Sequence, residues 1–156
     1  MPTAEQQVHI DKIRAFPAEL DALLATIKPD ELDNRITPDE WCTRQIVHHL
    51  ADSHTRALLL MKNILFEDKP MMVPWKQADF AETADYKQPI EPSVNIIHGI
   101  HTRIVALLES VSEVQWQRTG MHHTRGEMTL EAVAALYAWH GGNHIDQINK
   151  TLGRAT

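Results

Sequence analysis

Along most of this chain the hydrophobic residues recur at helical spacing rather than in the alternation of a strand. From about Glu5 to Ile27 the apolar positions are Val8, Ile10, Ile13, Phe16, Leu20, Leu23, Leu24 and Ile27. Pro17 inside that run predicts a kink or a division, and Pro29 ends it. Thr37-Pro38-Asp39-Glu40 has the pattern of a helix start: a Thr cap, proline in the first turn and Glu three residues after the cap. A start one turn later, after Trp41, fits as well. Either way the pattern continues to about Phe66 through Ile46, Val47, Leu50, Ala57, Leu58, Met61, Ile64 and Leu65. Ser93 is placed to cap a third helix with Val94, Ile97, Ile104, Leu107, Leu108 and Val111 on one stripe. Thr129 caps a fourth that runs to about Leu152, where Gly153 stops it.

The connections are long. Residues 67–92 hold Pro70, Pro74, Pro89 and Pro92 with little periodicity, which predicts an ordered loop anchored by Trp75 and Phe80. Loops of that length in compact domains are often functional. Residues 112–128 form a second connection in which only Thr124–Met128 suggests a hairpin-like loop, and no segment alternates as a strand should. The expectation is an all-α fold, an antiparallel four-helix bundle with long inter-helix loops, forming a single domain over residues 1–156.

Composition narrows the classes. The 156 residues include 15 Lys and Arg against 21 Asp and Glu, a formal charge of −6 that argues against nucleic acid as the main partner. No apolar run approaches the ~20 residues of a bilayer span, so no membrane partner is expected. Met1 to Gln7 lacks the basic start and apolar stretch of a secretory leader. The single Cys42 has no intrachain partner for a disulfide, which fits a reducing, cytoplasmic setting; at a helix start it reads as structural rather than nucleophilic. What needs a chemical explanation is histidine, of which there are 10.

On the fourth helix, Leu130, Val133, Tyr137, His140, His144 and Ile148 share one sector of about 80°. His140 and His144 therefore point inward one turn apart, with Cβ atoms roughly 5–6 Å from each other. A lone inward histidine is most simply a hydrogen-bonded core residue. Two stacked ones must both lose water and find partners for four nitrogens, and one metal ion satisfies a nitrogen of each. The segment His140-Gly141-Gly142-Asn143-His144 lacks the glutamate of the H-E-x-x-H metalloproteases. Its two glycines fit either close helix packing or a backbone kept clear for a substrate. A third ligand must come from another helix. The second helix offers His54 inside its apolar stripe, His49 at the edge beside Ser53 and Leu60, and His48 on the far side; the third offers His101, which faces inward with Ile97, Ile104 and Leu108. Periodicity alone ranks His54 first. His98 is peripheral, and His9, His122 and His123 read as surface or loop residues.

Three stretches carry a family resemblance: Trp41-Cys42-Thr43-Arg44-Gln45-Ile46-Val47-His48-His49-Leu50-Ala51-Asp52-Ser53-His54, then Ile100-His101-Thr102-Arg103, and Tyr137-Ala138-Trp139-His140-Gly141-Gly142-Asn143-His144-Ile145-Asp146-Gln147-Ile148. Over most of its length the chain resembles the DinB-like superfamily and, within it, the YfiT-like, bacillithiol-transferase-like group of metal-dependent hydrolases. The resemblance implies one divalent metal on His49, His140 and His144, and so places His49 above His54. It makes Asp52, His101 and Arg103 candidates for the surroundings of the metal or for substrate contact. The chain departs from the family pattern at Cys42, where Ser or Thr is usual, at Pro74–Phe80, where acidic residues are common, and at Gly141-Gly142-Asn143, where extra histidines are common. These changes bear on the substrate pocket and leave the three ligands in place.

Three neutral imidazoles leave a divalent ion charged and with an open position, able to lower the pKa of bound water towards ~7. The expected function is metal-dependent hydrolysis of a small substrate, with the catalytic side chains unassigned. The same site could instead activate a low-molecular-weight thiol for S-transfer. A third reading, of another class, is a non-catalytic sensor or binding module stabilised by its metal. Imidazole ligation suits Zn or Ni. The resemblance also implies a homodimer.

Overall fold

The protein's structure, a computed structural model, describes residues 1–154. Four long helices form the bundle: α1 (Ala4–Leu24), α2 (Thr43–Phe66), α4 (Glu91–Glu109) and α6 (Leu130–Thr151), with the one-turn helices α3 (Gln77–Phe80) and α5 (Glu113–Trp116) in the connections. α1 and α2 each pack against both α4 and α6, so α1 lies diagonally across from α2, and α4 across from α6. Two clusters of buried hydrophobic side chains fill the interior. One core joins Ile10, Ile13, Leu58, Met61, Ile104 and Leu108 to Leu130 and Val133. The other joins Phe16, Leu20, Ile46, Leu50 and Ile97 to Ile148. No helix among the described residues is long and apolar enough to cross a membrane.

Capping explains where the helices begin. Thr3 and Gln6 form a reciprocal box at the start of α1. α2 starts after Trp41, not at Thr37: the Cys42 amide donates to the Gln45 side chain, and Gln45 is itself held by the Ala81 carbonyl. Thr129 accepts from the Ala132 amide at the start of α6, and Gly153 takes a φ of 67° just beyond its end.

Three expectations are corrected. Pro17 does not divide α1, which stays helical from Ala4 to Leu24. Ser93 is not the cap of α4, whose first turn already includes Pro92; it is buried and bonded to His48 instead. A small three-stranded sheet also closes one end of the bundle, where only a hairpin-like loop was expected. β1 (Met71–Met72) pairs parallel with β2 (Thr119–His122), which pairs antiparallel with β3 (Gly126–Thr129). Arg118 ties this end down by donating to the carbonyls of Ile64 at 2.7 Å and Glu67 at 2.6 Å, groups the end of α2 leaves without helical partners.

Candidate metal centre

α2 and α6 run side by side, and that adjacency brings residue 49 to residues 140 and 144. His49 is almost fully buried, and its ring centroid lies 4.9 Å from that of His144 and 5.5 Å from that of His140. His140 and His144, one turn apart on α6, have centroids 4.4 Å apart and Nε2 atoms separated by 3.2 Å. One nitrogen from each of the three rings lies within 4.8 Å of the other two. Two indoles pack on His49: Trp41, from the turn before α2, at 4.8 Å, and Trp75, from the 67–92 loop, parallel to it at 5.4 Å. The loop is thus a wall of the site. Arg56 lies over the Trp75 indole at 5.1 Å and donates to the Val73 carbonyl, fixing that wall.

Burial removes the imidazolium option. His49 and His140 are pushed down from 6.5 to about 3, first by loss of water and then by neighbouring histidines. His144 is also lowered by burial, against a raising hydrogen bond to Gln147. At neutral pH all three are neutral bases. His144 Nδ1 donates to Gln147 Oε1 at 2.7 Å, which leaves its Nε2 as a lone pair facing the cluster. Nδ1 of His49 is buried with no hydrogen-bond partner. Converging neutral imidazoles with an unsatisfied buried nitrogen are the donor set a borderline-soft divalent cation takes, so these residues fit a metal.

Every histidine expected near the site can now be placed. His54 and His101, both buried, are joined to His140 in a line: His54 Nε2 lies 3.0 Å from His140 Nδ1, and His54 Nδ1 lies 2.6 Å from His101 Nε2. His48 is not on an outer face but buried, bonded to Ser93 Oγ at 2.7 Å and to the Gln88 carbonyl at 3.1 Å, because the 67–92 loop covers that side of α2. Asp52 accepts from the Tyr86 hydroxyl at 2.8 Å and so serves that loop's attachment. Arg103, two residues beyond His101, is exposed. His98 is exposed and contacts Asp21. Sequence reasoning did not single out Trp41 as a wall of the site; its place one residue before the cap of α2 was the available signal.

A groove of about 320 Å³ shares the Trp75 and Tyr137 walls with the cluster and is otherwise mostly apolar, with Arg56, His122 and His123 among its polar members. The Tyr137 and His140 rings are 5.7 Å apart, which puts the groove beside the three histidines.

The chain is similar to known proteins over nearly all of its length. Relatives bearing the name "Putative metal-dependent hydrolase" include one from Geobacillus kaustophilus, 38% identical over 92% of this chain and 82% of that protein. Another, from Halalkalibacterium halodurans, is 34% identical over 95% of this chain and 86% of that protein. Among solved structures, YfiT from Bacillus subtilis, described as a probable metal-dependent hydrolase with an unusual four-helix bundle topology, superposes with a TM-score of 0.90. That match has 28% identity and covers 99% of this chain and 92% of YfiT. The DinB superfamily model matches residues 12–148, a span that contains all four bundle helices in large part and the three converging histidines, and the chain belongs to that superfamily.

Proposed function

We propose that the protein is a metal-dependent hydrolase of small substrates, holding one divalent ion, Zn or Ni, on His49, His140 and His144. The observation that carries this reading is the convergence of three neutral imidazole nitrogens beside an apolar groove of small-molecule size. A divalent ion held there supplies a Lewis acid that lowers the pKa of a water or thiol at its open position. The chain's own residues do the rest. Trp41 and Trp75 pack on His49 and limit the water around it. Gln147 fixes the tautomer of His144. The groove walls take the apolar body of the substrate, while the Arg56 guanidinium suits an anionic end.

S-transfer from a low-molecular-weight thiol is a second reading, and one observation favours it. Among the described residues the sole imidazole–carboxylate contact is that of His98 with Asp21, so no carboxylate lies against the cluster to take a proton from water. A thiol, with its lower pKa, needs less help.

Metal content and Zn²⁺ or Ni²⁺ titration of His49→Ala, His140→Ala and His144→Ala test the site. Each variant is expected to lose stoichiometric binding, and three variants that bind as the parent does would refute it. A panel of small esters and amides, run beside thiol-plus-electrophile assays on the metal-loaded protein, separates the reactions. Hydrolysis that survives both chelation and loss of the triad would reject the proposed role of the metal.

A further inference from the structure

The interior holds more histidine than a three-ligand site uses, and the surplus is arranged in a line. It begins at a backbone group. Pro17 has no N–H to give the Ile13 carbonyl four residues earlier, so that buried carbonyl lacks its helical partner. His101 Nδ1 lies 2.6 Å from it. A carbonyl oxygen only accepts, so His101 must carry its proton on Nδ1.

The direction then passes along the row. His101 and His54 are 3% and 1% exposed, with Phe16 packed on both rings and no carboxylate against either, so each is neutral and carries a single proton. With Nδ1 protonated, His101 Nε2 is an acceptor, and its 2.6 Å partner, His54 Nδ1, must donate. His54 Nε2 is then the acceptor for His140 Nδ1 at 3.0 Å. His140, donating from Nδ1, is left with an Nε2 lone pair. That lone pair faces His144 Nε2, itself unprotonated because Gln147 holds the proton-bearing Nδ1, across 3.2 Å. Two lone pairs at that separation satisfy each other only through a shared cation.

We propose that His101 and His54 are positioning residues that carry a fixed hydrogen-bond polarity from the Ile13 carbonyl to His140, holding His140 as its Nδ1–H tautomer with Nε2 directed into the cluster. The geometry of the relay stands by itself, while its purpose rests on the metal-site reading above. Pro17 has a role in this arrangement: it releases the carbonyl from which the polarity starts. The relay also joins three helices, since Ile13 is on α1, His101 on α4 and His54 on α2, before it reaches α6.

The test is spectroscopic and needs no substrate. Long-range ¹H–¹⁵N correlation spectra of metal-free, ¹⁵N-labelled protein at neutral pH report which ring nitrogen of each histidine is protonated, with His140→Gln identifying the His140 signals. The parent is expected to show His140 protonated at Nδ1. His101→Leu removes both the donor and the acceptor; it is expected to release the tautomer of His140 and to weaken Zn²⁺ binding about 10–100-fold in competition with a chromophoric chelator. His101→Gln, whose amide can donate to Ile13 and accept from His54, is expected to stay near the parent in both readouts. If His101→Leu does not fold, the parent spectrum and the Gln variant still decide the matter. His140 protonated at Nε2 in the parent, or a Leu variant unchanged in tautomer and affinity, overturns the relay even if Zn²⁺ binds. The expected tautomer in a parent that binds no Zn²⁺ supports the relay and overturns the metal reading.

Discussion

At the scale of single residues, neighbouring glycines of α6 do different work. A Cβ added at Gly141 would lie 2.5 Å from the Phe16 ring, whereas one at Gly142 would meet nothing within 4 Å. Phe16 also packs against His54 and His101, with ring centroids at 5.5 Å and 5.0 Å, so it has little room to retreat. Gly141→Ala is therefore expected to destabilise by about 1–3 kcal/mol, and Gly142→Ala to stabilise by up to about 1 kcal/mol through helix propensity alone. Urea melts of the two variants check this, and equal effects would contradict it. The segment His140-Gly141-Gly142-Asn143-His144 was legible as unusual, but which glycine admits a neighbour is a fact about another helix that spacing within α6 cannot contain. Acid sensitivity also belongs at this scale. His49 and His140 sit at about 3 when folded and return to 6.5 when unfolded, so below about pH 6.5 the unfolded chain binds protons that the native protein refuses. Their contribution is fully present above pH 6.5 and is lost as pH falls towards 3. Urea melts of metal-free protein should give a lower unfolding free energy at pH 5.5 than at pH 7.5, falling below pH 6.5 by up to about 1.4 kcal/mol per pH unit for each histidine.

At the scale of elements, caps were good guides where the side chain had no competing partner. Thr129 caps α6 as its sequence suggests, and Thr129→Ala should cost about 1 kcal/mol in a thermal or urea melt, with metal affinity falling little because His140 and His144 lie about three and four turns further on. Ser93 looked equally suited to cap a helix, yet its hydroxyl is taken by His48, which gains burial when the 67–92 loop folds over α2. The same loop explains why a helical wheel misplaced His48. The wheel assigns faces relative to an apolar stripe, and here Tyr86 and Gln88 cover the opposite side. Pro17 reads as a kink or a division because it removes a backbone bond; α1 is not divided, and an imidazole from α4 takes the carbonyl left without its helical partner. The strands were beyond reach for a different reason. β1 has two residues and β2 and β3 four each, too few to show alternation, and β1 meets β2 from about 50 residues away.

At the scale of the whole molecule, the order of helices around the bundle decides what the site can be. Because α1 and α2 are diagonal, α2 is wedged between α4 and α6, and its histidines face partners from both. Periodicity showed that His49, His54, His101, His140 and His144 turn inward or sit at an edge, but helices do not announce their neighbours, so which three converge came from the resemblance rather than from the pattern. The arrangement has a thermodynamic consequence. A cation held jointly by His49 on α2 and by His140 and His144 on α6, as proposed above, would bind the folded chain and not the unfolded one, so its binding free energy would add to stability. At a free metal concentration of 100 times Kd that addition is about 2.7 kcal/mol, which for a domain of this size raises Tm by about 5–10 °C. Zn²⁺ or Ni²⁺ added to chelator-treated protein should produce that rise, and renewed chelation should reverse it. His49→Ala keeps the α6 pair but breaks the link to α2, so its metal-free Tm is free to differ from the parent's while its response to metal should shrink to a small fraction. His54→Gln leaves all three cluster nitrogens present and should retain a clear response. A parent whose melting is indifferent to metal, or a His49→Ala variant that responds as fully as the parent, would show that the three histidines do not act as one site across the two helices.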